Sequence, residues 1–234
     1  QASPLLGEPQ GLAVYQNGVR VNEPFGDVMQ WDLIPEAAIS RAEVISSNPI
    51  FGLNSLGGAI VLGLKNGFEF SGVNLDINGG YFERGGAQFQ LGHNTEHVAI
   101  YTALEQQFEA GWRNRSPSDI KRAYANIALR YDNVDVTWDF THADNDLRGA
   151  GLAPAQLLEE NRRAVFTWPD ITDNSLFFTT LNANYYVNDT VSLQANTYFR
   201  RLIRTTFNGD EVDAQACEID EDRNSNTVDA NIRT

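Results

Sequence analysis

Apolar and polar residues alternate with a period of two through most of the chain after Gly67. Because successive side chains of a strand point to opposite faces, this pattern predicts β-strands with one apolar and one polar face. The alternation is clear in segments 73–78, 87–91, 125–131, 134–141, 177–187 and 191–200. Segment 97–108 is a less regular strand, and segment 227–232 begins another. The pattern therefore predicts seven strands and the start of an eighth.

The lengths of the runs and of the links between them favour a transmembrane β-barrel over a soluble β-sandwich. Several runs extend over about ten residues, whereas strands of soluble proteins are typically about 5–6 residues long. Tight links at 94–96, 132–133 and 188–189 alternate with long polar links at 109–119, 147–173 and 207–226. Short turns at one end and long loops at the other are typical of outer-membrane barrels. The link at 82–86 is the exception, since it is short where a long one is expected.

The residues before Gly67 predict a small α+β unit of a different kind. Segment 11–18 predicts a strand that ends in the Asn17-Gly18 turn, a strong hairpin signal, and segment 19–21 predicts the second strand of the hairpin. Segment 35–39 predicts one helical turn, with Pro35 at its start. Segments 41–45 and 59–64 predict two more short strands, and segments 22–31 and 49–58 predict loops.

Composition and charge exclude several functions. The net charge of -14 argues against a nucleic-acid partner, because phosphate binding needs clustered Lys and Arg. No apolar run approaches the ~20 residues of a membrane helix. Motifs of hydrolases, nucleotide-binding enzymes and zinc proteases are missing, so an enzyme is not expected. His and Cys occur at no metal-ligand spacing, so a metal site is not expected either.

Three linked segments before Gly67 resemble the C-terminal half of the plug of TonB-dependent outer-membrane receptors, of the ferric-citrate and siderophore type. Segment 14–22 resembles a strand-turn-strand of that plug. Segment 32–35 followed by Ile39-Ser-Arg-Ala-Glu-Val44 resembles the approach to its "R-I-E-V" strand. Phe51-Gly52, Gly57-Gly58-Ala-Ile60 and Lys65 resemble the end of the plug. The resemblance extends over residues 11–66.

The resemblance implies a mainly β fold: the C-terminal half of an α+β plug, followed by the first strands of an antiparallel transmembrane β-barrel. Residues 1–66 would be a partial plug and residues 67–234 a partial barrel of about seven to eight strands. We expect the chain to be part of a longer protein. The resemblance implies that the protein is not an enzyme. It implies instead that the protein takes up a ferric siderophore or ferric citrate actively across the bacterial outer membrane. The partners would be the chelate, membrane lipid and the TonB energy-coupling protein, which binds a segment missing here. Iron would be cargo, and no resident cofactor is expected.

The resemblance also points to site residues. Two apical plug loops would face the ligand, and the positions expected near it are Arg20, Asn22, Phe25, Asn48 and Phe51. Arg41 and Glu43 share a strand face and would hold the plug to charged residues of the barrel wall, such as Arg130, Asp135 and Asp139.

One alternative of a different class stays open from the sequence. A secreted or cell-surface β-sandwich, acting as a binding module or adhesin without transport, would show the same alternation. It predicts a chain that is soluble without detergent. A barrel without a plug, acting as a passive porin, is disfavoured by the plug-like start.

Overall fold

The computed structural model describes residues 11–24, 28–46, 57–149, 151 and 153–209. These residues form two β-sheets and a single α-helix. The first sheet contains β1 (Leu12–Gln16), β2 (Val19–Arg20), β3 (Ile39–Ile45) and β4 (Gly58–Leu64). The second contains β5 (Gly72–Gly79), β6 (Gly85–Asn94), β7 (Val98–Glu109), β8 (Ser118–Tyr131), β9 (Val134–Arg148), β10 (Asp170–Asn188) and β11 (Val191–Asn208).

The first sheet has the strand order β2-β1-β4-β3, with β1 parallel to β4 and the other pairs antiparallel. The hairpin between β1 and β2 turns at Asn17 and Gly18, whose φ values are +50° and +81°. Both residues tolerate this left-handed conformation, so the predicted Asn-Gly turn is confirmed. Two short 3-10 helices, Trp31–Leu33 and Glu36–Ala38, connect the hairpin to β3, and the second is the predicted helical turn.

The second sheet is antiparallel throughout, and its strands follow one another in chain order from β5 to β11. Within the described residues it is an open sheet, with β5 and β11 at its edges. Tight turns join β6 to β7, β8 to β9 and β10 to β11, whereas the long links from β7 to β8 and from β9 to β10 lie at the opposite end. Helix α1 (Ala155–Glu160) lies in the longer link. The seven predicted strands are confirmed, and the predicted start at 227–232 lies outside the described residues.

One face of the second sheet is apolar and exposed, as the alternation predicts. Leu75 on β5 is 62% exposed and Leu104 on β7 is 49% exposed. The same face carries exposed apolar side chains on the other strands: Ile100, Ile127, Trp138, Phe177 and Leu193. In the described part of the chain, no helix is long and apolar enough to cross a membrane.

The opposite face of the second sheet, predicted to be polar, packs against the first sheet and carries apolar side chains as well as polar ones. Leu176 and Phe178 of β10 are buried with Val14, Leu33 and Leu62 of the first sheet and its connections. A second apolar cluster joins Tyr101, Ala103 and Tyr124 to Ala37, Ala38 and Leu64. These side chains are apolar because they bury the apolar surface of the first sheet.

Candidate functional site between the two sheets

A buried ion pair on the second sheet extends to the first. Glu105 of β7 and Arg122 of β8 are register partners, and both side chains are only 1% exposed. Arg122 Nη2 lies 2.7 Å from Glu105 Oε2 and forms an ion pair with it. Arg122 Nη1 also lies 3.2 Å from Glu36 Oε1, and Glu105 Oε1 accepts a hydrogen bond of 2.7 Å from the Ala37 N–H. The Glu36–Ala38 turn is thereby fixed to the sheet.

The Ala37 carbonyl group is held as firmly as its N–H group. It accepts hydrogen bonds from Lys65 Nζ at 2.8 Å and from the Tyr101 hydroxyl at 3.2 Å. Both donors also bond Gln90 Oε1, at 3.0 Å and 2.9 Å respectively. The Ala37 carbonyl group is therefore fixed by Tyr101 of β7 and by Lys65, and Gln90 of β6 holds both donors in place.

A second group of contacts lies near the end of the sheet that carries the long links. The Arg204 guanidinium of β11 donates two hydrogen bonds to the Glu23 carboxylate, at 2.6 Å and 3.0 Å. Its Nε donates to Asn174 Oδ1 at 3.0 Å. Asn145 Nδ2 lies 2.9 Å from both the carbonyl oxygen and the carboxylate of Asp32. The connection between β2 and β3, already attached through Glu36 and Ala37, is thus attached at two further places.

A third group surrounds the buried Asp139 carboxylate of β9. It accepts hydrogen bonds from the Tyr124 hydroxyl at 2.6 Å, from Asn126 Nδ2 at 2.6 Å and from Thr180 Oγ1 at 3.0 Å. These donors cross-link β8, β9 and β10 on their inner face. Nearby, Gln16 Nε2 of β1 donates to Thr141 Oγ1 at 3.0 Å.

The interface therefore combines small apolar clusters with discrete polar contacts. Water can replace each polar partner once the surfaces separate, so the net stabilisation from each contact is modest despite its close geometry. An interface of this composition can hold one sheet against the other and can also be hydrated when the two are pulled apart.

The expected ligand residues are only partly within the described chain. The Asn22 carboxamide accepts a hydrogen bond from the Val14 N–H at 2.7 Å and donates one to the Leu12 carbonyl at 2.9 Å. Arg20 Nε donates to Asn22 Oδ1 at 3.4 Å, so these two residues are brought together. Phe25, Asn48 and Phe51 lie outside the described residues. A ligand role for the five positions stays a prediction.

The predicted plug-to-barrel pair is formed within its own strand. Arg41 Nε lies 3.0 Å from Glu43 Oε1, and the two side chains are 66% and 56% exposed. The suggested wall partners are engaged elsewhere: Arg130 lies 3.7 Å from Asp135, and Asp139 is held as described above. The contact role of Arg41 and Glu43 stays a prediction, whereas Glu36, Glu105 and Arg122 do form a contact between the connection of the first sheet and the second sheet.

Sequence reasoning missed the residues that join the two sheets. Glu105, Arg122 and Arg204 all lie on the inner faces of their strands, and a charged residue at such a position was the available signal. Recognising them as partners requires the register of β7 with β8 and the position of the first sheet.

Comparison with known proteins identifies the fold. No family model matches the chain, and no curated protein matches it. The ferric citrate transporter FecA in its unliganded form aligns with a TM-score of 0.71 and 9% identity, over 86% of this chain and 32% of FecA. The ferric-catecholate import receptor Fiu from E. coli K12, in an open form, aligns with a TM-score of 0.67 and 14% identity, over 86% of this chain and 33% of Fiu. The siderophore receptor PiuA from Acinetobacter baumannii aligns with a TM-score of 0.69 and 13% identity, over 85% of this chain and 30% of PiuA.

The chain spans about a third of the length of each of these proteins. At such low identities the likeness establishes the fold alone. The open antiparallel sheet corresponds to part of the β-barrel of these receptors.

Proposed function

We propose that the chain is part of a TonB-dependent receptor that takes up a ferric chelate, a siderophore or ferric citrate, across the bacterial outer membrane. One observation carries the proposal: a small mixed sheet is attached by polar contacts to the inner face of a long antiparallel sheet whose outer face is apolar and exposed. On this proposal residues 1–66 belong to the plug and residues 67–234 to the barrel wall.

The outer face supports a location in the outer membrane. Exposed side chains such as Leu75, Leu104 and Phe177 are unfavourable in water but suit contact with lipid acyl chains. The tight turns would face the periplasm, and the long links would face the outside, as in barrels of this kind.

The interface between the sheets supports a plug that moves during transport. A pull by TonB would break discrete hydrogen bonds and ion pairs, such as Arg204 to Glu23, which water can replace. The two sheets therefore suit an assembly that is stable at rest and separable under force. In this function the chain catalyses no reaction and needs no resident cofactor, since iron travels with the cargo.

The cargo class rests on the structural neighbours, which are a ferric citrate transporter, a ferric-catecholate import receptor and a siderophore receptor. Arg20, Asn22, Phe25, Asn48 and Phe51 are the positions that we propose near the chelate. Arg41 and Glu43 are proposed to contact barrel residues other than those described here.

The alternative of a β-sandwich binding module or adhesin is disfavoured by the faces of the second sheet. A sandwich buries the apolar faces of two sheets against each other. Here the alternating apolar side chains of the second sheet point away from the first sheet and are exposed.

The test is uptake by cells of the parent organism that express the full-length protein. Radioactive iron would be supplied as ferric citrate or as a ferric catecholate under iron limitation, to wild-type cells, a gene deletion and a TonB deletion. We expect uptake of at least one chelate to fall in both deletions and to return on complementation. The protein should fractionate with the outer membrane and migrate faster on gels before heating than after. Uptake that needs neither gene, or a soluble protein with heat-independent migration, contradicts the proposal.

A further inference from the structure

A cavity of about 500 Å³ lies between the Asn17-Gly18 turn of the first sheet and the inner face of β8 to β11. Side-chain carboxamides dominate its lining, among them Asn17, Asn126, Asn184 and Gln194. The cavity lies toward the tightly turned end of the second sheet. Glu23 and Asp32, by contrast, contact the end of the second sheet that carries the long links.

The chemistry of the lining favours an uncharged ligand with hydroxyl groups. Each carboxamide offers both donors and acceptors, which matches a hydroxyl group that also does both. Asp139 is the one ionisable side chain among the described residues of the lining, and its carboxylate already accepts from Tyr124, Asn126 and Thr180. An anionic chelate would find no cationic partner among these lining residues.

One of the lining carboxamides has hydrogen-bonding capacity that the described residues leave unused. Asn126 is 2% exposed and its Nδ2 donates to Asp139, but its Oδ1 accepts no hydrogen bond from the described residues. A buried acceptor without a partner is costly, so a ligand hydroxyl that reached Asn126 Oδ1 would be bound favourably.

We propose that this cavity is a binding site for a neutral, hydroxyl-rich solute of the size of a disaccharide, shared between the Asn17-Gly18 turn and the wall strands. The volume lies in the range of small-ligand sites, about 300–1,000 Å³. Neither Arg20 nor Asn22 of the expected chelate site lines this cavity, and its charge preference differs, so the proposal stands independently of the identity of the ferric cargo.

The experiment uses the purified full-length receptor in detergent, with Cys217→Ser as background. Asn184→Cys places a thiol in the cavity, and the matched control Thr190→Cys places one in the exposed turn between β10 and β11. The rate of labelling by an uncharged maleimide is measured with trehalose, with citrate and with neither. We expect trehalose to slow labelling several-fold in the Asn184→Cys protein alone, and citrate to slow neither protein. Absence of a trehalose effect, an equal effect in the control, or equal protection by citrate overturns the proposal.

A second variant tests the assigned contacts. Asn17→Gly removes the carboxamide but keeps the turn, because glycine adopts a φ of +50° without strain. In the Asn184→Cys background, losing one hydrogen bond should raise the trehalose concentration for half-protection by roughly 3- to 10-fold. Heat-modifiable migration of the Asn17→Gly protein should be unchanged. Unchanged protection in the correctly migrating variant contradicts a site that includes Asn17.

Discussion

Glu105 and Arg122 are register partners whose buried ion pair is also the attachment point for Glu36 and the Ala37 N–H. Removing one member leaves a buried charge without its partner, which typically costs about 3–5 kcal/mol. We expect Arg122→Leu to destabilise the folded receptor by about this amount, measured as a lower temperature for loss of the fast-migrating form.

The double variant Arg122→Leu, Glu105→Leu is the matched control for this prediction. Because it removes both charges, it should recover a large part of the stability lost in the single variant. Equal destabilisation of the single and double variants would show that the ionic partnership is not what Arg122 contributes.

Arg204 should hold the first sheet through its two hydrogen bonds to Glu23. Arg204→Lys keeps the charge but cannot reproduce the paired geometry of the guanidinium. We expect the Glu23 segment to exchange amide hydrogens faster in this variant. Arg201→Lys is the control, since Arg201 lies on the opposite, outer face of the same strand. Equal exchange of the Glu23 segment in the two variants would assign no special role to Arg204.

The strands of both sheets were predictable because their signals are local. Alternation over 134–141 and a turn residue pair such as Asn17-Gly18 act through neighbouring residues, whatever the rest of the chain does. The same local signal identified Trp138 as outward-facing and Asp139 as inward-facing, which the structure confirms.

The contacts between the sheets were not predictable because they depend on distant residues. Leu176 and Phe178 follow the alternation only loosely, and their burial requires Val14 and Leu62 on the other sheet. The Arg122–Glu105 pair likewise depends on strand register and not on any motif. The resemblance directed attention to Arg41 and Glu43, which pair with each other in the described part of the chain.

Asp139 should be more important than another aspartate on the same face of the same strand. Its carboxylate accepts hydrogen bonds from Tyr124, Asn126 and Thr180. Asp139→Asn replaces one accepting carboxylate oxygen by an NH₂ group that faces these donors. We expect the free energy of unfolding to fall by about 1–3 kcal/mol. Asp135→Asn is the control, because Asp135 is more exposed and pairs with Arg130 at 3.7 Å. The prediction compares the denaturant midpoints of the two proteins, and similar midpoints would contradict it.

Leu104 separates the membrane proposal from the soluble alternative most sharply. It lies near the middle of β7 on the outer face and is 49% exposed. If this face contacts lipid, Leu104→Arg places a charge in the hydrocarbon region and should lower the free energy of unfolding by about 2–4 kcal/mol. In water, the same substitution at an exposed position should change stability by less than about 0.5 kcal/mol. Folding into lipid vesicles, read as the fraction of the fast-migrating form, measures the difference.

The control for Leu104→Arg is Glu96→Arg, in the exposed tight turn between β6 and β7. A turn at the membrane surface tolerates a charge, so this variant should fold like the wild type. A large loss for Leu104→Arg beside a small one for Glu96→Arg supports a lipid-facing sheet. Comparable small losses would mean that the apolar face of the second sheet contacts water, and the receptor proposal would fail with it.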